Sequence, residues 1–195
     1  MEFDKNTTAF LVMDYQNELV HENGKAAGMT YAHVKQQNAI EHTKKALEKA
    51  RNKGLKVIFV KVDYGKGYAK LKSATSPMYK QMQIPAAKIL LKNSWGAEIH
   101  YALKPLSGED VIVKARISPF TNPKFKKALK GIKTLILTGV VTNYVVEATA
   151  REASDRDFSV IILEDCCASM SQEAHDFSVK MILPGLATVI KSDEL

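Results

Sequence analysis

Cysteine is scarce in this chain, and its scarcity limits both the class of protein and its environment. Only two cysteines occur among 195 residues, and they are adjacent, Cys166 and Cys167. Two neighbouring cysteines provide no framework of disulfides that could staple a small fold. A reduced, intracellular protein follows most simply, so we expect a cytoplasmic location.

Long apolar runs are also missing. The hydrophobic stretches are far shorter than the roughly 20 residues that a membrane-spanning helix needs. Residues 1–4, Met-Glu-Phe-Asp, carry two acids and no apolar core, so we expect no signal peptide. We therefore expect that this protein does not bind a membrane.

The chain has little of the arginine and aromatic clustering that marks a nucleic-acid surface. Its formal charge of +7 comes from 28 Lys and Arg against 21 Asp and Glu, and the basic residues are mostly lysines spread along the chain. Solvated helix faces account for them, so no nucleic-acid partner is expected. A weak preference for anionic small molecules stays open.

Apolar runs typical of strands alternate with segments of helical spacing over the whole length. We predict one domain, residues 1–195, of the three-layer α/β class, with a mostly parallel six-stranded sheet and right-handed crossovers. The predicted strands are 8–13, 57–62, 111–114, 135–138, 160–163 and 187–190, and the predicted helices are 34–52, 124–130, 144–155 and 172–183.

One long connection is irregular. Residues 64–92 are rich in Lys, Gly and Met, and Pro77 and Pro85 interrupt any long element there. Long irregular connections in compact domains are usually functional lids or partner-facing loops. We expect this segment, or a neighbouring subunit, to complete a crevice.

Polar residues follow the predicted strands where a ligand would bind. In open parallel sheets the crevice lies at the carboxyl ends of the strands, which selects Asp14, Lys114 and the turn 140–145. Asp14 could move a proton, and Lys114 could keep it ionised by lowering its pKa. Amides at the start of the helix at Tyr144 could bind an oxyanion.

Each of these residues also has an ordinary structural interpretation. An aspartate after a buried strand is often a loop anchor, a lysine at a strand end is often a surface residue, and Thr142-Asn143 is a common helix-capping pair. Their occurrence together favours the functional interpretation.

Four segments, in the same order along the chain, resemble the isochorismatase-like, or cysteine hydrolase, family. They are TAFLVMDYQN at 8–17, NSWGAEI at 93–99, VKARISPF at 113–120 and GVVTNYVVE at 139–147. The resemblance implies a Rossmann-like sheet and an Asp-Lys-Cys triad whose cysteine attacks an amide carbon. It implies catalytic places for Asp14 and Lys114, and substrate or oxyanion contacts at Val141, Tyr144, Gln16 and Trp95. It also implies a cis peptide at Val140-Val141 and a homo-oligomer, a dimer or a tetramer.

The chain departs from that family where the nucleophile is expected, because position 145 is valine. Valine has no lone pair, so thioester chemistry at Val145 is excluded. Three interpretations stay open. The protein is a hydrolase of a small metabolite that uses Asp14 and Lys114 without a cysteine, a non-catalytic homologue that binds a ligand or has a structural role, or a Cys-to-Val variant of a cysteine amidohydrolase.

No substitute nucleophile and no cofactor are expected. Cys166 and Cys167 match a loop of the family where small residues pack, which favours buried, unreactive side chains. Metal-dependent relatives have a histidine close after the second strand, whereas this chain has Asp63-Tyr64-Gly65, and its five histidines are scattered. We therefore predict no metal, and a packing or hydrogen-bonding role for His175.

Overall fold

A six-stranded, all-parallel sheet forms the centre of the protein in a computed structural model that describes residues 2–83 and 87–195. Its strands are β1 (Thr8–Met13), β2 (Lys56–Val62), β3 (Asp110–Lys114), β4 (Thr134–Val140), β5 (Ser159–Ala168) and β6 (Thr188–Ile190). They lie in the order β3-β2-β1-β4-β5-β6. The predicted α/β class and parallel sheet are confirmed.

Seven α-helices accompany the sheet in the described ranges. They are α1 (Asn17–Val20), α2 (Ala27–Gln36), α3 (Ala39–Asn52), α4 (Pro77–Met82), α5 (Pro123–Ala128), α6 (Glu147–Ser154) and α7 (Gln172–Phe177). Single turns of π-helix precede α6, at Thr142–Val146, and follow α7, at Ser178–Ile182. No helix in the described part of the chain is long and apolar enough to cross a membrane.

Alternation along β1 sends its side chains into cores on both faces of the sheet. Phe10 and Val12 pack in a core that includes Leu47 of α3, whereas Leu11 and Met13 pack on the opposite face in a core that includes Ala150 of α6. Both faces are therefore covered, which leaves the ends of the strands as the place for a ligand.

The predicted helix 34–52 is wrong in one respect, because it is two helices. Asn38 stands between α2 and α3 with φ of +49°. Asparagine tolerates this left-handed conformation better than most residues, so it can end one helix and redirect the chain. The apolar spacing of α3, with Thr43, Ala46, Leu47 and Ala50 buried, is as expected.

The predicted strand 160–163 is too short, because β5 continues to Ala168. The polar pair Glu164-Asp165 interrupts the apolar pattern, but Asp165 accepts hydrogen bonds from the backbone N–H and Oγ of Ser192. Pairing with β4 resumes after a register shift, where Gly139 lies opposite Cys167. Cys166 and Cys167 are thus strand residues and not loop residues.

The connection between β2 and β3 packs as a small layer of its own. It contains a 3₁₀ turn at Lys66–Leu71 and then α4, and a third apolar cluster includes Val62, Tyr64, Leu71 and Leu90. The expected interruption at Pro85 lies outside the described residues.

Candidate active site

A buried ion pair joins the ends of two strands. Asp14 directly follows β1, and Lys114 is the last residue of β3. The side chains meet across the end of β2, where Lys114 Nζ donates a hydrogen bond of 2.7 Å to Asp14 Oδ2. Both residues are almost fully buried. The pair therefore lies at the edge of the sheet where parallel α/β proteins bind ligands.

The second carboxylate oxygen of Asp14 is available for chemistry. Oδ1 is buried and has no hydrogen-bond partner in the described ranges. Burial raises the pKa of Asp14, and the charge and hydrogen bond of Lys114 oppose that rise only in part. Lys114 lowers the pKa of Asp14, as expected, but burial outweighs its effect and the net pKa of Asp14 is raised. The site favours an aspartate that can hold a proton.

A cavity of about 450 Å³ opens beside this pair. Asp14, Lys114, Val141, Tyr144 and Val145 all line it, so the structure brings five of the seven proposed site residues together. Val145 is 2% exposed. Most of the remaining wall is apolar, and it includes Met29, Met78, Ile89, Leu90, Ile117 and Met170. The cavity suits a small molecule with an apolar body.

Gln16 and Trp95, the other two proposed site residues, are not among the residues that line the cavity. Gln16 is buried and bonds only backbone: its Nε2 donates to Val62 O and Ala97 O, and its Oε1 accepts from Val62 N–H. Trp95 is 47% exposed and makes an edge contact with the His21 ring. Gln16 links β1 to β2 and to the segment before β3, so its amide has no group left for a substrate.

The turn after β4 has the expected cis peptide between Val140 and Val141. The amide of Tyr144 is not available for an oxyanion, however, because it donates a hydrogen bond of 3.1 Å to Val141 O. An oxyanion role for Tyr144 would therefore need another group than its backbone N–H.

A buried histidine holds this turn. His175 Nδ1 lies 2.9 Å from Thr142 Oγ1, and its Nε2 lies 3.0 Å from Gln37 Nε2. Because an amide nitrogen can only donate, His175 Nε2 accepts and the ring is neutral with its proton on Nδ1. Burial, followed by the charge of His33, lowers the pKa of His175 from 6.5 to about 4.

Acid is expected to destabilise the fold through His175. Below pH 6.5 the histidine of the unfolded chain binds a proton, whereas the folded ring stays neutral down to about pH 4. Stability should therefore fall by about 2 kcal/mol as the pH drops through this window, and His175→Gln should remove that part of the slope. Urea unfolding at several pH values measures it. Lys45→Gln, a change at an exposed position of α3 that leaves every histidine in place, is the control, and an equal flattening in both variants would contradict the assignment.

Neither cysteine can replace the absent nucleophile. Cys166 and Cys167 are fully buried, on opposite faces of the sheet. Burial raises the pKa of both thiols far above the ordinary value, which suppresses the thiolate.

No group of three or more His, Cys, Asp or Glu side chains is arranged to hold a metal within residues 2–83 and 87–195. Asp63, which follows β2, instead accepts hydrogen bonds from Gly65 N–H at 2.6 Å and Lys70 Nζ at 3.1 Å. It anchors the loop that follows its own strand.

Sequence reasoning missed Glu18, whose buried carboxylate ties two walls of the cavity together. Glu18 Oε1 accepts from Lys25 N–H at 2.8 Å, and Oε2 accepts from Leu90 N–H at 3.2 Å. The segments so joined carry the cavity residues Ala26 and Leu90. Gly96 leaves the space for this carboxylate, because a Cβ there would overlap Glu18 Oε2. The only signal in the sequence was that Gly96 belongs to a recognisable motif and that Glu18 directly follows another.

Gly96→Ala is therefore expected to lower the free energy of unfolding by about 1–3 kcal/mol, since the methyl group displaces a buried carboxylate. Hydrogen exchange at the amides of Lys25 and Leu90 should accelerate as their acceptor moves. Gly28→Ala is the matched control: its Cβ would meet nothing within 4 Å, and α2 should gain up to about 1 kcal/mol. Equal stability of the two variants, measured by denaturant unfolding, would contradict this role of Gly96.

Comparison with known proteins agrees with this architecture. The family model of the Isochorismatase domain matches residues 8–194. The ureidoacrylate amidohydrolase RutB of Rhizobium rhizogenes is 30% identical in an alignment of 199 residues, and the alignment covers 93% of this chain and 80% of that protein. The isochorismatase family protein YecD of Escherichia coli O157:H7 is also 30% identical, and the alignment covers 100% of this chain and 97% of that protein.

Solved structures show the same fold. A cysteine hydrolase from Pseudomonas syringae pv. phaseolicola superposes with a TM-score of 0.83 at 22% identity, covering 98% of this chain and 92% of that one. The N-carbamoylsarcosine amidase of Thermoplasma acidophilum has a TM-score of 0.75 at 25% identity, covering 97% of this chain and 98% of that one. The chain belongs to the isochorismatase family, in which relatives of similar length are named as hydrolases and amidohydrolases.

Proposed function

We propose that this protein is an isochorismatase-like hydrolase of a small metabolite that uses Asp14 and Lys114 without a cysteine nucleophile. The observation that carries the proposal is Asp14 Oδ1, a buried carboxylate oxygen that has no partner in the described chain, on a residue that lines the cavity. A buried polar atom that is left unpaired is costly, and such atoms are often retained for function.

A raised pKa suits Asp14 to the work of a general acid. Protonated Asp14 can transfer its proton to the terminal carbon of an enol ether, which leaves an oxocarbenium ion. Water then adds to that cation and returns a proton to the Asp14 carboxylate, and the resulting hemiketal breaks down to a carbonyl compound and an alcohol. Lys114, at 2.7 Å, stabilises the carboxylate that remains after the transfer. No step in this sequence needs a protein nucleophile.

The absence of a thiol at position 145 supports this class of reaction over amide hydrolysis. A thioester intermediate needs sulfur next to the acid-base pair, and Val145 cannot form one. The methyl groups of Val145 line a cavity of which about 450 Å³ is open. That space is enough for a metabolite of small size.

The finer sequence expectations belong to this proposal as well. A cytoplasmic location agrees with two buried, free cysteines. A homo-oligomer, dimer or tetramer, is consistent with large exposed apolar side chains such as Tyr101, Phe177 and Met181. Neither expectation is needed for the chemistry.

The second candidate is a non-catalytic homologue that binds a small ligand. Two observations favour it: Val145 supplies no nucleophile, and the Tyr144 amide is already hydrogen-bonded to Val141 O. A natural or introduced Cys-to-Val change in a cysteine amidohydrolase would also leave position 145 without a nucleophile.

Turnover of a panel of enol ethers, amides and ureas by pure protein separates these functions. The hydrolase proposal expects hydrolysis of an enol ether that depends on Asp14. Binding without turnover of any compound on the panel would support the second candidate and contradict the first.

A further inference from the structure

Arg116 presents a fixed positive charge to the cavity. It lies two residues beyond β3 and lines the cavity with Tyr64 and Tyr79. One guanidinium nitrogen, Nη1, donates to Lys70 O at 3.1 Å and to Ala115 O at 2.8 Å. The guanidinium carbon lies 5.2 Å from the centre of the Tyr79 ring. Backbone bonds and ring contact together orient the group before any ligand arrives.

No carboxylate of the described residues compensates this charge. The other cation of the cavity, Lys114, is paired with Asp14 at 2.7 Å, whereas Arg116 makes no ion pair in residues 2–83 and 87–195. Its Nε and Nη2 also have no acceptor in those ranges, so these donors are available. A guanidinium with two unused donors matches the geometry of a carboxylate.

Tyr64 lines the cavity together with Arg116 and the pair of Asp14 and Lys114. Its hydroxyl has no hydrogen-bond partner in the described part of the protein, although the residue is mostly buried. Burial raises the pKa of Tyr64, the charge of Asp14 raises it further, and the charge of Arg116 lowers it. Tyr64, Asp14 and Arg116 all line the same cavity, so the acid and the guanidinium both face it.

We propose that Arg116 binds the carboxylate of a small, otherwise apolar substrate and so directs its reactive end towards Asp14. The apolar wall accepts the body of the molecule. A single guanidinium, with no second free cation among the described residues that line the cavity, favours a monoanion over a phosphate ester. The orientation towards Asp14 rests on the proposed function, but binding of the carboxylate does not.

Binding of benzoate and of benzamide tests the assignment without any turnover. The two compounds have nearly the same shape and differ in charge, so their ratio of dissociation constants reports on recognition of the anion. In the parent protein benzoate should bind about tenfold more tightly than benzamide, and added NaCl should reduce only the benzoate affinity. Titrations followed by NMR measure both constants. Equal affinities, or tighter binding of benzamide, would overturn the proposal whatever the variants do.

Arg116→Gln should remove this preference, with benzamide affinity within about twofold of the parent, and Arg116→Lys should restore part of it because the charge returns without the planar fork. Arg151→Gln removes one positive charge away from the cavity and should leave the preference unchanged. A preference that survives in Arg116→Gln, or that is lost equally in Arg151→Gln, would contradict the role of Arg116.

Asp14→Asn separates this inference from the proposed function. It should keep or strengthen the benzoate preference, because a nearby negative charge is removed. Loss of the preference in Asp14→Asn would contradict the assignment to Arg116. If the parent does not hydrolyse enol ethers but still prefers benzoate to benzamide through Arg116, only the hydrolase proposal is contradicted.

Discussion

Asp14→Asn should lower the turnover of an enol ether by roughly 10²- to 10⁴-fold, the usual contribution of a positioned acid. Asparagine has nearly the same shape and accepts the positive φ of +58° at this position, so the fold should be kept. It has no carboxyl proton to give, however. In the parent, kcat/KM should decline as the pH rises through the raised pKa of Asp14, because only the protonated form acts as the acid.

The control for this prediction is Asp63→Asn, which alters the aspartate that follows the neighbouring strand β2. Asp63 anchors its own loop and does not line the cavity, so its variant should keep at least about half of the activity. Rates are compared per folded molecule, with folding checked by circular dichroism. Unchanged turnover in Asp14→Asn would show that the acid is another group.

Val145→Cys should create an amidase activity that the parent lacks. The introduced thiol would lie in the wall that also holds Asp14 and Lys114, the charged members of the triad implied by the family resemblance. Loss of a nucleophile costs an optimised enzyme a factor of about 10⁶, so even a poorly tuned thiol should raise amide hydrolysis roughly 10²-fold over the parent. Hydrolysis of small amides and ureas is the measurement, followed by trapping of a covalent intermediate by mass spectrometry.

Val145→Ala provides the matched control, because it enlarges the cavity without adding a nucleophile. Iodoacetamide should label only the Val145→Cys protein, since Cys166 and Cys167 are buried and their pKa values are raised. Equal gains in amide hydrolysis in Val145→Ala and Val145→Cys would show that the larger cavity, and not the thiol, causes the effect. Amide hydrolysis by the parent itself would contradict the expectation that position 145 is decisive.

Local patterns predicted much of the scaffold. Buried parallel strands leave continuous apolar runs, and side chains at their carboxyl ends must meet at one edge, so Asp14 and Lys114 could be paired before the structure. Boundaries were less predictable where a polar group finds a distant partner. Asp165 ends the apolar pattern of β5, yet Ser192, 27 residues away, donates hydrogen bonds to its carboxylate. The strand can therefore continue past Asp165.

Side-chain roles at the site were harder to predict, because they depend on which groups are left without partners. Gln16 stands in a motif beside Asp14, but the backbone of β2 and of the segment before β3 engages both its amide nitrogen and its amide oxygen. Arg116 stands in an equally familiar motif, and its unused donors become visible only when the chain around it is folded. The spacing of residues in the sequence does not show which donors and acceptors will find partners in the folded chain.

Sequence alone was sufficient for six strands in their order along the chain, for the pair Asp14 and Lys114, and for the exclusion of a thioester at Val145. These follow from local periodicity and from the chemistry of single side chains. The tertiary structure was required for the direction of the Asp14 pKa and for the hydrogen bonds of Glu18 across the cavity. It was also required to see that Asp14 Oδ1 and the charge of Arg116 have no partner among the described residues. Each of these depends on burial and on contacts between residues far apart in the chain, and no local pattern encodes them.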